Sequence, residues 1–415
     1  MARVRQNFPS TPAVDIQSVI GAEFAKIRSR VNPGARIAIG VGSRGIANLP
    51  VIVRAVLDNL KEAGAQPFIL PAMGSHGGAT PDGQSRLLET FGITEAAMGA
   101  PIRTSMEVRQ IGASAEGVPA YCSVEALESD GVILVNRVKP HTDFCGAVGS
   151  GLLKMAVVGL GKRDGAAAMH AAAARVGHEP VIRGLARVIL HTAPVLGGVA
   201  ILENQTHETA RVLVLPVEAI EAAEDQLLVE ARNLMPRLPF DEIDLLIVDR
   251  IGKNISGVGL DPNVTGRWVQ GYSSSLAREG RPGPFIRRIF VRDLTPETHG
   301  NAIGIGLADA TTSRLVRAMD RAVTYLNSLT ALTPQTSKLP LCFESDEEAI
   351  SAMLASLAIP DPRAARVVHI GDTLSLADME VSQPLLVEVR KQPALAEVDG
   401  AREMRFDPAR NLIRG

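Results

Sequence analysis

Short apolar runs alternate along this chain with longer stretches whose apolar residues recur at helical spacing. Arg36-Ile-Ala-Ile-Gly-Val41 reads as a strand, and Leu49 to Ala63 as the helix after it, closed by Gly64 where a helix C-terminal glycine is expected. Gln66–Leu70 is the next strand, with a helix near Gln84–Phe91. Gly131-Val-Ile-Leu-Val-Asn136 is continuously apolar, as a strand covered on both faces should be. Alanines make Ala166–Val176 helical, and Val181–Leu190 extends that region. Gly198–Leu202 and Arg211–Leu215 are further strands, followed by a long helix over Val217–Leu234. The proline pair in Met235-Pro-Arg-Leu-Pro239 then precedes a fresh strand, Ile243–Val248, and marks a domain boundary. Beyond a Gly-rich segment, Gly252–Gly271, come a strand at Phe285–Val291 and helices at Thr312–Leu329 and Asp346–Leu357. Strands at Val367–Ile370 and Gln383–Val389 complete the pattern. The alternation predicts two α/β domains, residues 1–237 and 238–415, and allows the residues after Val389 to return to the first.

Composition narrows the classes of function. The 415 residues are 46% hydrophobic but only 3% aromatic, so the interiors must be built from Ala, Val, Leu and Ile. A net charge of −2 without a dense Lys/Arg run argues against nucleic acid or a membrane surface as the main partner. No apolar stretch approaches the ~18 residues that span a bilayer, and Met-Ala-Arg-Val-Arg-Gln-Asn-Phe-Pro lacks the apolar segment of a secretory signal, so a cytoplasmic location is expected. Cys122, Cys145 and Cys342 are scattered and odd in number, which speaks against a disulfide framework or thiolate metal cluster.

The unusual polar residues follow three of the first-domain strands, in Gly42-Ser-Arg-Gly45, Gly74-Ser-His-Gly-Gly78 and Lys139-Pro-His-Thr-Asp143. In open α/β sheets ligands bind at the carboxyl ends of strands, so parallel neighbours would bring Arg44, His76 and His141 to one rim. Arg44 is either a surface arginine or, with Ser43, a phosphate or carboxylate contact. His76 stands among Ser75, Gly77 and Gly78, which offer little packing for a core histidine, and Asp143 is close enough in sequence to His141 to tune a nearby imidazole. His170 sits in the alanine-rich helix, where a structural role is the ordinary reading. Lys154 interrupts the apolar run Ser150-Gly-Leu-Leu-Lys-Met-Ala-Val-Val-Gly-Leu-Gly161. Either its stem lies on the core while its head reaches water, or its amine has lost its charge through a shifted pKa or a covalent bond. Gly159-Leu-Gly-Lys-Arg-Asp-Gly165 misses the GxGxxG spacing, Gly146–Gly151 lacks a P-loop Lys-Ser/Thr, and neither HExxH nor GxSxG occurs.

Taken in order, Arg44, His76, His141, Lys154 and His170 make the chain resemble the nickel-pincer nucleotide-dependent lactate racemase family. The resemblance covers most of the chain. It is carried by Val41–Arg44, Met73–Gly78, Lys139–Phe144, Gly151–Lys154 and Gly159–Ala166 running on to His170. Gly252–Gly257 and Asn301–Gly306 are similar to motifs of a subgroup of that family. The chain departs from lactate racemases proper where Val41-Gly42 stands in place of an aspartate before the turn, and where Gly151-Leu-Leu-Lys154 replaces a Gly-Gly-Arg-Lys run.

The resemblance implies an active-site cleft between the two α/β domains and a nickel-pincer nucleotide, derived from nicotinic acid mononucleotide and made by separate cofactor-biosynthesis enzymes. It implies Lys154 as the thioamide tether, His170 as the protein ligand to nickel, and His76 with His141 as paired acid and base. Ser43 and Arg44 would contact the nucleotide or the substrate carboxylate, and Lys253 would be the second-domain cation at the substrate. The activity implied is racemisation or epimerisation at C2 of a small 2-hydroxy acid, with a short lactate-like substrate favoured. Deprotonating carbon beside a carboxylate would place two negative charges together, whereas hydride transfer to a pyridinium-type ring with a histidine taking the hydroxyl proton avoids this. The alternatives are C2 epimerisation of a sugar acid, with Gly252–Gly271 and Trp268 suited to shape a pocket for either a short or a long chain, a metal hydrolase using His76, His141 and His170, and a cofactor carrier or binding protein without chemistry.

Overall fold

The computed structural model describes residues 1–43, 45–142, 144, 146–268 and 283–414. The chain forms two compact units. One comprises Thr11–His141 and Cys145–Met235, the other Met1–Ser10, Thr142–Phe144 and Pro236–Gly415. Strand β1 (Ala2–Gln6) is the first regular element, alternating buried Ala2 and Val4 with exposed Arg3 and Arg5. It belongs to the second unit, although the sequence division put these residues in the first.

The first unit holds β2 (Arg36–Val41), β3 (Gln66–Pro71), the hairpin β4 (Val108–Ala113) and β5 (Pro119–Ser123), then β6 (Gly131–Arg137), β7 (Val195–Glu203) and β8 (Thr209–Pro216). Among the described residues its main sheet has the order β3-β2-β6-β7-β8. β2 runs parallel to both β3 and β6, β6 is parallel to β7, and only β8 is antiparallel. This is a doubly wound order that reverses between β2 and β6, the place where such sheets open a crevice at their carboxyl ends. Ile37, Ile39, Ile69, Ile133 and Val135 build a core with Phe24 and the apolar face of Leu49–Glu62. The helix Ile16–Arg28, which the apolar pattern did not bring out, is capped by Asp15 accepting from Ser18 N at 3.2 Å.

In the second unit β9 (Glu242–Ile251), β10 (Phe285–Leu294), β11 (Ala310–Thr312), β12 (Leu341–Phe343) and β13 (Val367–Ile370) run parallel. β14 (Asp378–Val381) and β15 (Leu395–Glu397) flank β1 with antiparallel pairing. The order is β12-β11-β10-β9-β13-β14-β1-β15 among the described residues. Along β9, Leu246 and Val248 enter one core, and Leu245 and Ile247 the other, so both faces of this sheet are covered. The protein is thus a mixed α/β protein with two main mixed sheets. The residues after Val389 stay with the second unit, through β15 and buried Leu412.

Two elements differ from the sequence pattern. Gln383–Val389 is helical rather than a strand: Pro384 suits a first helical turn, and Leu385, Leu386 and Val389 are buried while Val387 is exposed, a spacing that only a helix satisfies. The helix expected over Thr312–Leu329 is two, Ser313–Ala318 and Arg321–Thr330, because Asp320 leaves helical geometry to accept from Val323 N at 3.0 Å. Among the described residues no helix is long and apolar enough to cross a membrane.

Candidate active site

Ser43, His76 and His141 follow β2, β3 and β6, three neighbouring parallel strands, so the carboxyl ends of the sheet bring them to one rim. Ser43 Oγ is hydrogen bonded to His76 Nδ1. The His76 loop is pinned from beneath by Gln84, whose buried amide donates to the carbonyls of Gly74 at 3.0 Å and His76 at 3.3 Å. Gly74 adopts φ +60°, and a Cβ there would lie 2.8 Å from Val158 Cγ1, so the loop lies against the segment that carries Lys154.

That segment is unusual in its winding. Leu152–Lys154 is an α-turn and Met155–Leu160 a π-helix, a widened turn that recurs at functional sites. Leu152, Leu153, Met155, Ala156 and Val157 are buried, but Lys154 is half-buried, and its Nζ is hydrogen bonded to His141 Nε2. The lysine among apolar neighbours thus has a polar partner for its head.

His170 lies in the helix Lys162–Val176 that follows the π-turn. Burial, with the positive charge of Lys154 and the neighbouring His178 adding to it, pushes its imidazole down to about 4, so it is neutral at physiological pH. A neutral imidazole is the form that ligates a metal. Thus Lys154, His141 and His170 gather at one place, with Ser43 and His76 paired at the end of the adjoining strands.

Three of the residues singled out in the sequence are either not described or belong to the second unit. Arg44 and Asp143 lie outside the described residues, as do residues 269–271 at the end of the Gly-rich segment, while Trp268 is described and buried. Lys253 belongs to the second unit, just past the carboxyl end of β9, where the order of that sheet reverses between β9 and β13. Its Nζ donates to Gly257 O at 2.7 Å and its backbone N to Thr298 Oγ1 at 3.1 Å.

Sequence reasoning missed several residues of the site. The ring of His178 stacks on that of His141, with centroids 6.4 Å apart and 27° between planes. Asn136, at the end of β6, donates to Gly151 O at 2.9 Å, and Glu224 accepts from Leu153 N at 3.0 Å. Lys162 is fully buried and donates to Pro71 O at 2.6 Å, tying the end of β3 to the helix of His170; burial lowers its amine to about 8. A polar residue at the end of an apolar strand was the only signal for Asn136, and no local pattern marks Glu224 or Lys162. Among the described residues no group of three or more His, Cys, Asp or Glu side chains could hold a metal ion.

These features define an α/β protein with two mixed sheets and a lysine–histidine cluster at the switch point of one of them. Residues 14–179 match the lactate racemase N-terminal domain family. No curated protein matches the chain. Solved structures that share its fold include the following two. The lactate racemase apoprotein from Thermoanaerobacterium thermosaccharolyticum is 13% identical, with a TM-score of 0.53 over 90% of this chain and 99% of that one. A Thermotoga maritima protein is 12% identical, with a TM-score of 0.52 over 83% and 92%.

Proposed function

We propose that this protein is an isomerase that inverts the C2 centre of a 2-hydroxy acid, using a nickel-pincer nucleotide tethered to Lys154. One observation carries the reading: the Lys154 amine is bonded to the imidazole of His141 and lies close enough to His170 to depress its basicity. The match of residues 14–179 to the lactate racemase N-terminal domain family supports it.

The donor set fits the cofactor. A tether needs an amine whose charge can be removed in place, and thioacylated Lys154 would sit beside Leu153 and Met155 without an ion to solvate. A protein ligand to a soft, sulfur-rich nickel centre needs a neutral imidazole, and His170 is neutral. When bound, the group supplies a hydride-accepting pyridinium ring beside the metal.

The chain's own residues would then manage the proton and the carboxylate. His76, with Nδ1 fixed by Ser43 Oγ, would exchange the substrate hydroxyl proton at Nε2. His141 would do the same for the other enantiomer, giving one base for each configuration. Ser43 and Arg44 remain assigned to the nucleotide or the substrate carboxylate, and Lys253 to the carboxylate. A short, lactate-like acid is the favoured substrate, with a sugar acid inverted at C2 as the alternative.

The test is chiral chromatography of 2-hydroxy acids incubated with the protein after loading by the cofactor's biosynthetic enzymes. Interconversion of D and L forms, absent without loading, is the expected result. A loaded protein that inverts none of a panel from lactate to aldonates would refute the proposal.

A further inference from the structure

The turn that carries Lys154 is gripped at its start from two sides. Asn136 Nδ2 donates to the Gly151 carbonyl at 2.9 Å. Glu224, in the helix Ile220–Asn233, turns its carboxyl into the same turn: Oε2 accepts the Leu153 N–H at 3.0 Å, and the Leu152 N–H bonds to the carboxyl as well. These N–H groups belong to a helix start, which has no intrahelical acceptors for them. The carboxyl is buried, and Oε1 has no hydrogen-bond partner. A Cβ at Gly151 would come within 2.4 Å of the Glu224 carboxyl, so the two residues fit together only while position 151 is glycine.

Burying a carboxyl with one oxygen unanswered opposes folding. An apolar side chain in its place would avoid that cost but would leave the turn's first N–H groups without an acceptor. We propose that Glu224 is the positioning residue of Lys154: wedged against Gly151, it fixes the first turn of the helix and thereby the place where the Lys154 amine meets His141. Asn136 holds the opposite side of the same peptide. The functional meaning of this device rests on the assignment of Lys154 as the tether, but its geometry does not.

The test uses the full-length protein before cofactor loading. Hydrogen exchange reads the Leu152 and Leu153 amides, and competitive acetylation with mass spectrometry reads Lys154 against Lys26 and Lys61. Glu224→Ala should speed exchange at Leu153 at least tenfold and shift Lys154 acetylation at least threefold relative to the two reference lysines. Glu224→Gln, which keeps an acceptor oxygen, should restore both to near the wild-type values. Unchanged exchange and labelling in Glu224→Ala, or equal disturbance by Ala and Gln, would overturn the proposal. Should Glu224→Ala fail to fold, Gly151→Ala carries the test: it should shift both readouts in the same way, and no shift would overturn the idea. A wrong cofactor assignment would instead appear as unmodified Lys154 in the loaded enzyme, leaving these rates untouched.

Discussion

The amine of Lys154 is hydrogen bonded to Nε2 of His141, a residue 13 positions earlier in the chain. The contact joins the loop after β6 to the π-wound segment, so a change in either residue is felt by the other. If each configuration of substrate is served by its own histidine, every inversion uses both. His76→Ala and His141→Ala should each lower inversion in both directions by about 10²–10⁴-fold, the range for removing a general acid–base group. Initial rates from the D and L sides check this. Full activity in both variants would remove the two-base assignment.

His170 should titrate far below an ordinary histidine. Burial and the charge of Lys154 hold its imidazole near 4. An NMR titration of the protein before loading is therefore expected to show one imidazole still neutral at pH 5, and Lys154→Met should raise its midpoint. His170→Ala should lose nickel on desalting after loading, read by metal analysis.

Glu224 makes stability fall with pH in a defined window. Burial pushes its carboxyl from the ordinary 4.5 up to about 7, so the folded state disfavours the ionised form. The unfolded chain loses this proton from about pH 4.5 upward while the folded one retains it until about pH 7. The destabilisation therefore grows between these limits and levels off above them, reaching on the order of 3 kcal/mol. Urea unfolding of wild type and Glu224→Gln across pH 4–8 should show this slope in the wild type and a flatter profile in the variant.

The second unit holds a buried histidine whose dependence has the same sign but begins at higher pH. His369 lies between Glu380 and Asp249, each 2.7 Å from a ring nitrogen, and Asp249 is bonded to Arg292 as well. Both carboxylates outweigh burial and raise the imidazole's pKa. The stabilisation is complete below the ordinary value of 6.5 and is lost as pH rises through the raised folded value. His369→Ala leaves the two carboxylates facing one another and should cost about 3–5 kcal/mol, measured by chemical unfolding at pH 6.

Much of this was legible in the sequence because the strands are short, apolar and covered. Arg36–Val41 and Gly131–Arg137 needed no tertiary knowledge, and the polar residues at their ends marked the rim. Gln383–Val389 misled because its unbroken apolar stretch, Leu385-Leu-Val387, is too short to carry a period, and only burial distinguishes a helix from a strand there. Strand β1 misled for a different reason: its partners, β14 and β15, lie more than 370 residues away in the chain. His76, His141, Lys154 and His170 could be picked out by their loops and their spacing. Glu224 and Lys162 could not, and Asn136 only by its place at the end of an apolar strand, since each acts on a backbone group that only the folded chain brings near.

Mass spectrometry of the Lys154-containing peptide from cofactor-loaded protein tests the central claim most directly. A nucleotide-derived thioamide adduct on Lys154, lost from Lys154→Ala together with the bound nickel, is the predicted result. Unmodified Lys154 in a sample that fully interconverts the enantiomers would contradict it.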